Sequence, residues 1–150
     1  MTAQPAGPSI WAQRLGYGGL IPFVALALAL ALLLAPSAGG PLAGMALLGY
    51  GATICSFLGA IHWGLLMRDG PDEHVPSLLW GVVPSLLGWV GLLLGAVPGL
   101  LLIAALLWTC LAVDRVLYAR HHLQAWLPMR GRLTLVASIS CLAGAAALWW

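Results

Sequence analysis

Charged side chains are scarce in this chain of 150 residues. Only 7% of the residues are charged and 62% are hydrophobic, whereas soluble domains carry about 25% charged residues. Lysine is absent, and all six basic residues are arginine. This composition excludes a water-soluble fold. The net charge of +2 is too small to indicate a nucleic-acid partner.

Sequence motifs for metal binding, redox chemistry and catalysis are also missing. Cys55, Cys110 and Cys141 lie inside apolar runs, and their spacing resembles neither a CxxC pair nor a zinc site. We interpret all three as packing residues. There is no nucleophile elbow, P-loop, HExxH or dinucleotide fingerprint. We therefore predict no catalytic residue, no metal site and no cofactor held by such a motif.

Five long apolar runs dominate the chain. Each is near the roughly 20 residues that cross ~30 Å of hydrocarbon. They predict an all-α, polytopic integral membrane protein, a bundle of five transmembrane helices in one domain over residues 15–150. A flexible segment over residues 1–14 precedes it. The predicted spans are residues 16–35, 42–67, 77–97, 100–119 and 132–149, with a tight turn at Val97, Pro98 and Gly99.

The first run has a second interpretation as a signal peptide, with residues 35–38 as a small-residue cleavage site. We favour an uncleaved span, because residues 15–35 are long enough to cross the bilayer. With five spans, every arginine falls on the face that holds the N-terminus. The positive-inside rule then predicts a cytoplasmic N-terminus and an outside C-terminus in the bacterial inner membrane.

Small residues recur at helical spacing in several spans and predict close helix contacts, within one chain or in a homodimer. In the second span they form two neighbouring stripes. These are Ala52, Ser56, Ala60 and Gly64, and Gly51, Cys55 and Gly59.

His62 and Asp114 are ionisable residues within apolar runs, where a charge costs about 3 kcal/mol at the bilayer centre. The second and fourth spans run in the same direction, which places the two residues at nearly the same depth. If those helices are neighbours, Asp114 accepts a hydrogen bond from His62. We predict a ligand site there, open to the cytoplasm and lined by His62, Trp63, Asp114, Trp80, Ser85 and Trp89.

Four interpretations of this site stay open. It could hold a hydrophobic ligand (a lipid, a quinone or a porphyrin-like molecule), since apolar walls with few polar groups suit such ligands. It could contact a partner membrane protein. It could carry protons in a small transporter that uses His62 and Asp114. Finally, the two residues could simply cross-link helices. A membrane-embedded enzyme ranks behind these interpretations.

Two polar clusters lie between the spans. The acidic loop that contains Asp69, Asp72, Glu73 and His74 is more typical of a solvated turn than of a cation site. The segment between the fourth and fifth spans is basic and fits contact with anionic headgroups of the bilayer. Its membrane-surface residues are Arg120, His121, His122, Arg130 and Arg132.

Several short motifs together resemble a domain-of-unknown-function family of small bacterial inner-membrane proteins, whose mitochondrial relatives include transmembrane protein 69. The resemblance runs from about Leu15 to the fifth span, and residues 56–64 are its most specific part. It implies a polytopic membrane protein and no catalytic residues. The motifs are Leu15-Gly16-Tyr17, Gly19-Leu20-Ile21-Pro22-Phe23, Ile61-His62-Trp63-Gly64, Pro84-Ser85-Leu86 with Trp89, and Asp114 and Arg130 with Leu133-Thr134.

Overall fold

A computed structural model describes residues 7–34, 39–69 and 75–149. The described residues form six α-helices with short connections. The helices are α1 (Ile10–Gly18), α2 (Ile21–Ala29), α3 (Gly40–Asp69), α4 (Val75–Leu94), α5 (Ala96–Arg120) and α6 (Leu127–Trp149). A π-helical turn over Leu30–Leu34 extends α2, and a 3₁₀ turn over Gln124–Trp126 precedes α6.

Five helical stretches are long and apolar enough to cross a membrane, which confirms the predicted all-helical, multi-pass fold. They are Ile10–Leu32, Gly40–Arg68, Pro76–Leu94, Ala96–Arg120 and Gln124–Trp149. Their bounds differ from the prediction at the first and last spans, which begin six and eight residues earlier. Ser9 explains the first difference, because its side chain accepts a hydrogen bond from the Ala12 amide (3.2 Å) and caps α1.

The first span is interrupted between α1 and α2 at Gly19 and Leu20. Pro22, which has no amide hydrogen, follows the break in the first turn of α2. The Tyr50 hydroxyl of α3 donates a hydrogen bond to the Gly19 carbonyl (2.8 Å), and its ring meets the Phe23 ring edge-on at 5.0 Å. In lipid each backbone polar group needs a protein partner. The break is therefore anchored on α3.

The turn between α4 and α5 lies at Gly95, so the predicted turn at Val97, Pro98 and Gly99 is wrong. Gly95 has a φ of +87°, a conformation that glycine adopts without steric strain. Pro98 is the third residue of α5, where the backbone amides have no intrahelical acceptor and a missing N–H costs little. Pro98 therefore lies within the first turn of α5, and the chain turns before it, at Gly95.

Helix α3 packs against α2, α4, α5 and α6 and is the centre of the bundle. Small residues allow its closest approach to α4: a Cβ at Gly59 would lie 2.4 Å from the Gly81 carbonyl oxygen. Of the predicted stripes in this helix, Gly51, Ala52, Cys55 and Gly59 are buried, whereas Ala60 and Gly64 are exposed. The buried part of the stripes serves contacts within the chain.

A Gly59→Ala substitution should destabilise the bundle. The added methyl group meets backbone on α4, so the two helices must separate, and such overpacking typically costs about 1–3 kcal/mol. Thermal unfolding in a mild detergent measures the effect. Gly64→Ala is the matched control on the same helix, since a Cβ there meets nothing within 4 Å. Equal melting temperatures for the two variants would contradict the packing described here.

Candidate functional site

Asp114 on α5 is fully enclosed within the bundle, with 1% of its surface exposed. Its Oδ2 accepts hydrogen bonds from Nε (2.9 Å) and Nη2 (2.6 Å) of Arg130 on α6. Hydrogen bonds between charged partners are short and roughly twice as strong as neutral ones. This ion pair fixes α5 and α6 against each other.

His62 on α3 completes the cluster from the other side. Its Nε2 lies 3.2 Å from Oδ1 of Asp114, and its side chain is 3% exposed. The two atoms are within ion-pair distance but are not aligned as a hydrogen bond, so Oδ1 has no hydrogen-bond donor among the described residues. The structure thus brings together His62 and Asp114, and adds Arg130. We call these residues the His62–Asp114–Arg130 cluster.

Arg130 was expected at the membrane surface, and the structure corrects this. Because α6 begins at Leu127, five residues before the predicted fifth span, Arg130 lies in its first turn and its guanidinium turns inward to Asp114. Arg120, His122 and Arg132 are exposed, and His121 is half-buried. The contact of these four residues with lipid headgroups stays a prediction.

Trp63, Ser85 and Trp89, three of the residues expected to line a site around His62, make their contacts elsewhere or are exposed. Trp63, the next residue on α3, faces away, because successive residues are rotated by about 100° around a helix. Its Nε1 donates to the Leu78 carbonyl (3.1 Å) on α4. Ser85 donates to Val82 of its own helix, and Trp89 is 58% exposed. Trp80 lines a shallow groove between α4 and α5.

A cavity of about 400 Å³ lies beside Arg130, between the first span, α3 and α6. We call it the Arg130 cavity. Most of its lining is apolar, and Tyr118, Arg130 and Thr134 supply polar groups. The apolar walls include Leu20, Phe23, Ile54, Phe57, Leu58, Leu107, Leu133 and Ala137.

The Arg130 cavity is partly open at the surface of the bundle, between the first span and α3. Helix α1 packs against α6 rather than against α3. At the margin of this opening, Leu15 of α1 is 75% exposed and Phe57 of α3 is 65% exposed. Both residues also line the cavity. These two side chains therefore border the open side of the cavity.

Neither the cavity nor the place of Thr134 in its lining was predicted from the sequence, although the spacing of polar residues in the last two spans contains a signal for both. Thr134 follows Arg130 by four residues, and Tyr118 follows Asp114 by four, so each pair shares one helix face. Thr134 is 1% exposed, and its hydroxyl has no hydrogen-bond partner in the described part of the chain. Two polar pairs at this spacing, in adjacent spans, indicate facing polar surfaces.

Within residues 7–34, 39–69 and 75–149, no three His, Cys, Asp or Glu side chains lie close enough together to hold a metal ion. The acidic loop considered above lies largely outside these residues, since residues 70–74 are not described. The three cysteines are buried and free.

The spans and the enclosed ion cluster define a small, multi-pass, α-helical membrane protein. The chain matches the family described as protein of unknown function (DUF3429) over residues 8–146, and it belongs to that family. It is 38% identical over 86 residues to Transmembrane protein 69 of Xenopus tropicalis. That match covers 55% of this chain and 32% of the relative, so the matched region spans about a third of its length. No solved structure matches the chain.

Asp114→Asn should lower the free energy of unfolding by about 3–5 kcal/mol, because it leaves the Arg130 charge buried without its counter-ion. An Asp114→Leu/Arg130→Met double variant should regain most of this loss, since it removes both charges. Titration with a denaturing detergent measures these differences. Arg132→Met is the control, because Arg132 is exposed two residues further along α6. A double variant that is less stable than Asp114→Asn would contradict the pairing.

Proposed function

We propose that this protein is a non-enzymatic binding protein of the bilayer, which holds a hydrophobic ligand in the Arg130 cavity beside the His62–Asp114–Arg130 cluster. One observation carries the proposal: a largely apolar cavity is lined by Arg130, whose buried guanidinium is paired with Asp114. Such a cavity can accommodate an apolar body and orient it through a single polar contact.

The volume and the surroundings of the cavity support this function. About 400 Å³ lies within the 300–1,000 Å³ range of typical ligand pockets. Ionisable residues within transmembrane segments are costly, rare and usually functional. Three such residues meet here within hydrogen-bonding or ion-pair distance. Packing alone would be served by apolar side chains of similar volume.

The location of the site in the membrane is part of the proposal. The exposed arginines Arg14, Arg68, Arg115, Arg120 and Arg132 lie at the ends of spans that share one face of the bundle. The positive-inside rule then supports a cytoplasmic N-terminus and the bacterial inner membrane as the location. Arg130, near the start of the last span, would place the polar end of the cavity toward the cytoplasmic leaflet.

A proton- or solute-linked transporter is the second candidate, and the 3.2 Å contact between His62 and Asp114 favours it. Transport predicts a pH-dependent flux in proteoliposomes that a His62→Gln variant abolishes while it still folds. Absence of such a flux with the wild-type protein would rule this candidate out.

Ala12→Phe should hinder binding of the ligand, because Ala12 lines the cavity on α1 and the larger side chain would project into that space. We expect native mass spectrometry of gently extracted wild-type protein to show an adduct of discrete mass, and the variant to lose it. The control is Ala25→Phe, at an exposed position of α2 outside the cavity lining. A bare wild-type chain, a chain bound to another protein, or an adduct that survives in Ala12→Phe would contradict the proposal.

A further inference from the structure

We infer that the ligand of the Arg130 cavity is a long-chain amphiphile whose head group is a neutral carbonyl. This inference rests on the proposed function and specifies the chemical class of the ligand. Three properties of the cavity lead to it: its shape, the hydrogen-bonding groups beside the cluster, and the charge balance there.

The cavity extends parallel to the helices. Its lining on the first span runs from Ala12 to Phe23, and on the last span from Trp126 to Ala137. Eleven residues of helix correspond to about 16 Å, at a rise of 1.5 Å per residue. A space bounded along three helices in this way fits a chain that lies along the bundle. A flat porphyrin macrocycle would need comparable space across the helices.

The polar region of the cavity offers mainly hydrogen-bond donors. A guanidinium has five N–H groups, and Asp114 accepts from two nitrogens of Arg130. The Tyr118 phenol lies next to the same guanidinium. The Thr134 hydroxyl, buried without a partner among the described residues, lies one turn further along α6. Buried polar groups in proteins are nearly always paired, so the Thr134 hydroxyl calls for a partner. A guanidinium only donates whereas a hydroxyl can do both, so the partner that Thr134 and Arg130 could share is an acceptor.

The charge balance selects a neutral acceptor over an anionic one. The charges of Asp114 and Arg130 cancel, and His62 adds none unless it is protonated. A carboxylate or phosphate head would therefore bring an uncompensated charge to membrane depth, which is strongly unfavourable. A carbonyl of an ester or a quinone needs only a donor, and the cavity wall supplies donors.

The test compares ligands that differ in their head groups. Saturable binding of radiolabelled hexadecane, palmitate, methyl palmitate and decylubiquinone is measured on the full-length protein in nanodiscs. Ala12→Phe provides the background for comparison, because its phenyl ring projects into the cavity. We expect one or both of the neutral carbonyl probes to bind at least fivefold more tightly than hexadecane and palmitate. The tighter of the two identifies an ester or a quinone as the source of the carbonyl.

Thr134→Val tests the contact with the head group, because it removes the hydroxyl and keeps the shape of the side chain. It should weaken binding of the preferred carbonyl probe about fivefold, the loss expected for one hydrogen bond, and leave hexadecane unchanged. Thr53→Val is the matched control, since Thr53 is exposed on α3 and bonds within its own helix. The same weakening in both variants would contradict the assigned contact.

The outcomes separate this inference from the function on which it rests. Tightest binding of palmitate would overturn the neutral head group. Equal binding of all four probes, with wild-type affinity in Thr134→Val, would overturn the head-group contact while the proposed function stands. If no probe binds the wild-type protein above the Ala12→Phe background, both the inference and the proposed function fail.

Discussion

The ion pair between Arg130 and Asp114 is the constraint that determines how the last two helices and the cavity beside them are arranged. Lipid tails supply no hydrophobic drive between helices, so close packing and polar contacts must hold the spans together. A buried charge without its partner would be far less stable than the pair, so each of the two residues requires the other. His62 extends the constraint to α3, and α3 in turn packs against α2 and α4. The first span contacts α3 chiefly through α2. The hydrogen bond from Tyr50 to the Gly19 carbonyl, at the break before α2, adds to this contact.

The same arrangement accounts for the cavity. Helix α1 lies beyond the Gly19 break and packs against α6, which leaves a space beside α3 that none of the described side chains fills. Arg130 therefore lies between Asp114 and a largely apolar cavity. A rigid charged cluster next to a lightly packed helix is a reasonable construction for a binding site, because the polar contact is held in place while the wall can admit a ligand.

The sequence predicts the spans well, because a long apolar run has few alternatives in a short chain. It also places His62 and Asp114 at one depth, since depth follows from span direction. The role of Arg130 is not evident from the sequence, because an arginine near the end of a span is usually assigned to the membrane surface. The shift of five residues at the start of α6 reverses that assignment.

The prediction groups Trp63, Trp80, Ser85 and Trp89 by depth alone. Depth does not determine the direction of a side chain around its helix, which depends on the neighbouring helices.

The most direct measurement is an experimental structure of the protein in native lipid, determined at a resolution that shows side chains. The account predicts that Arg130 contacts Asp114 with His62 beside them, and that elongated density runs between α1 and α3 with one end at Arg130. A structure in which α1 closes against α3, or in which Arg130 extends to the headgroups, would contradict the account.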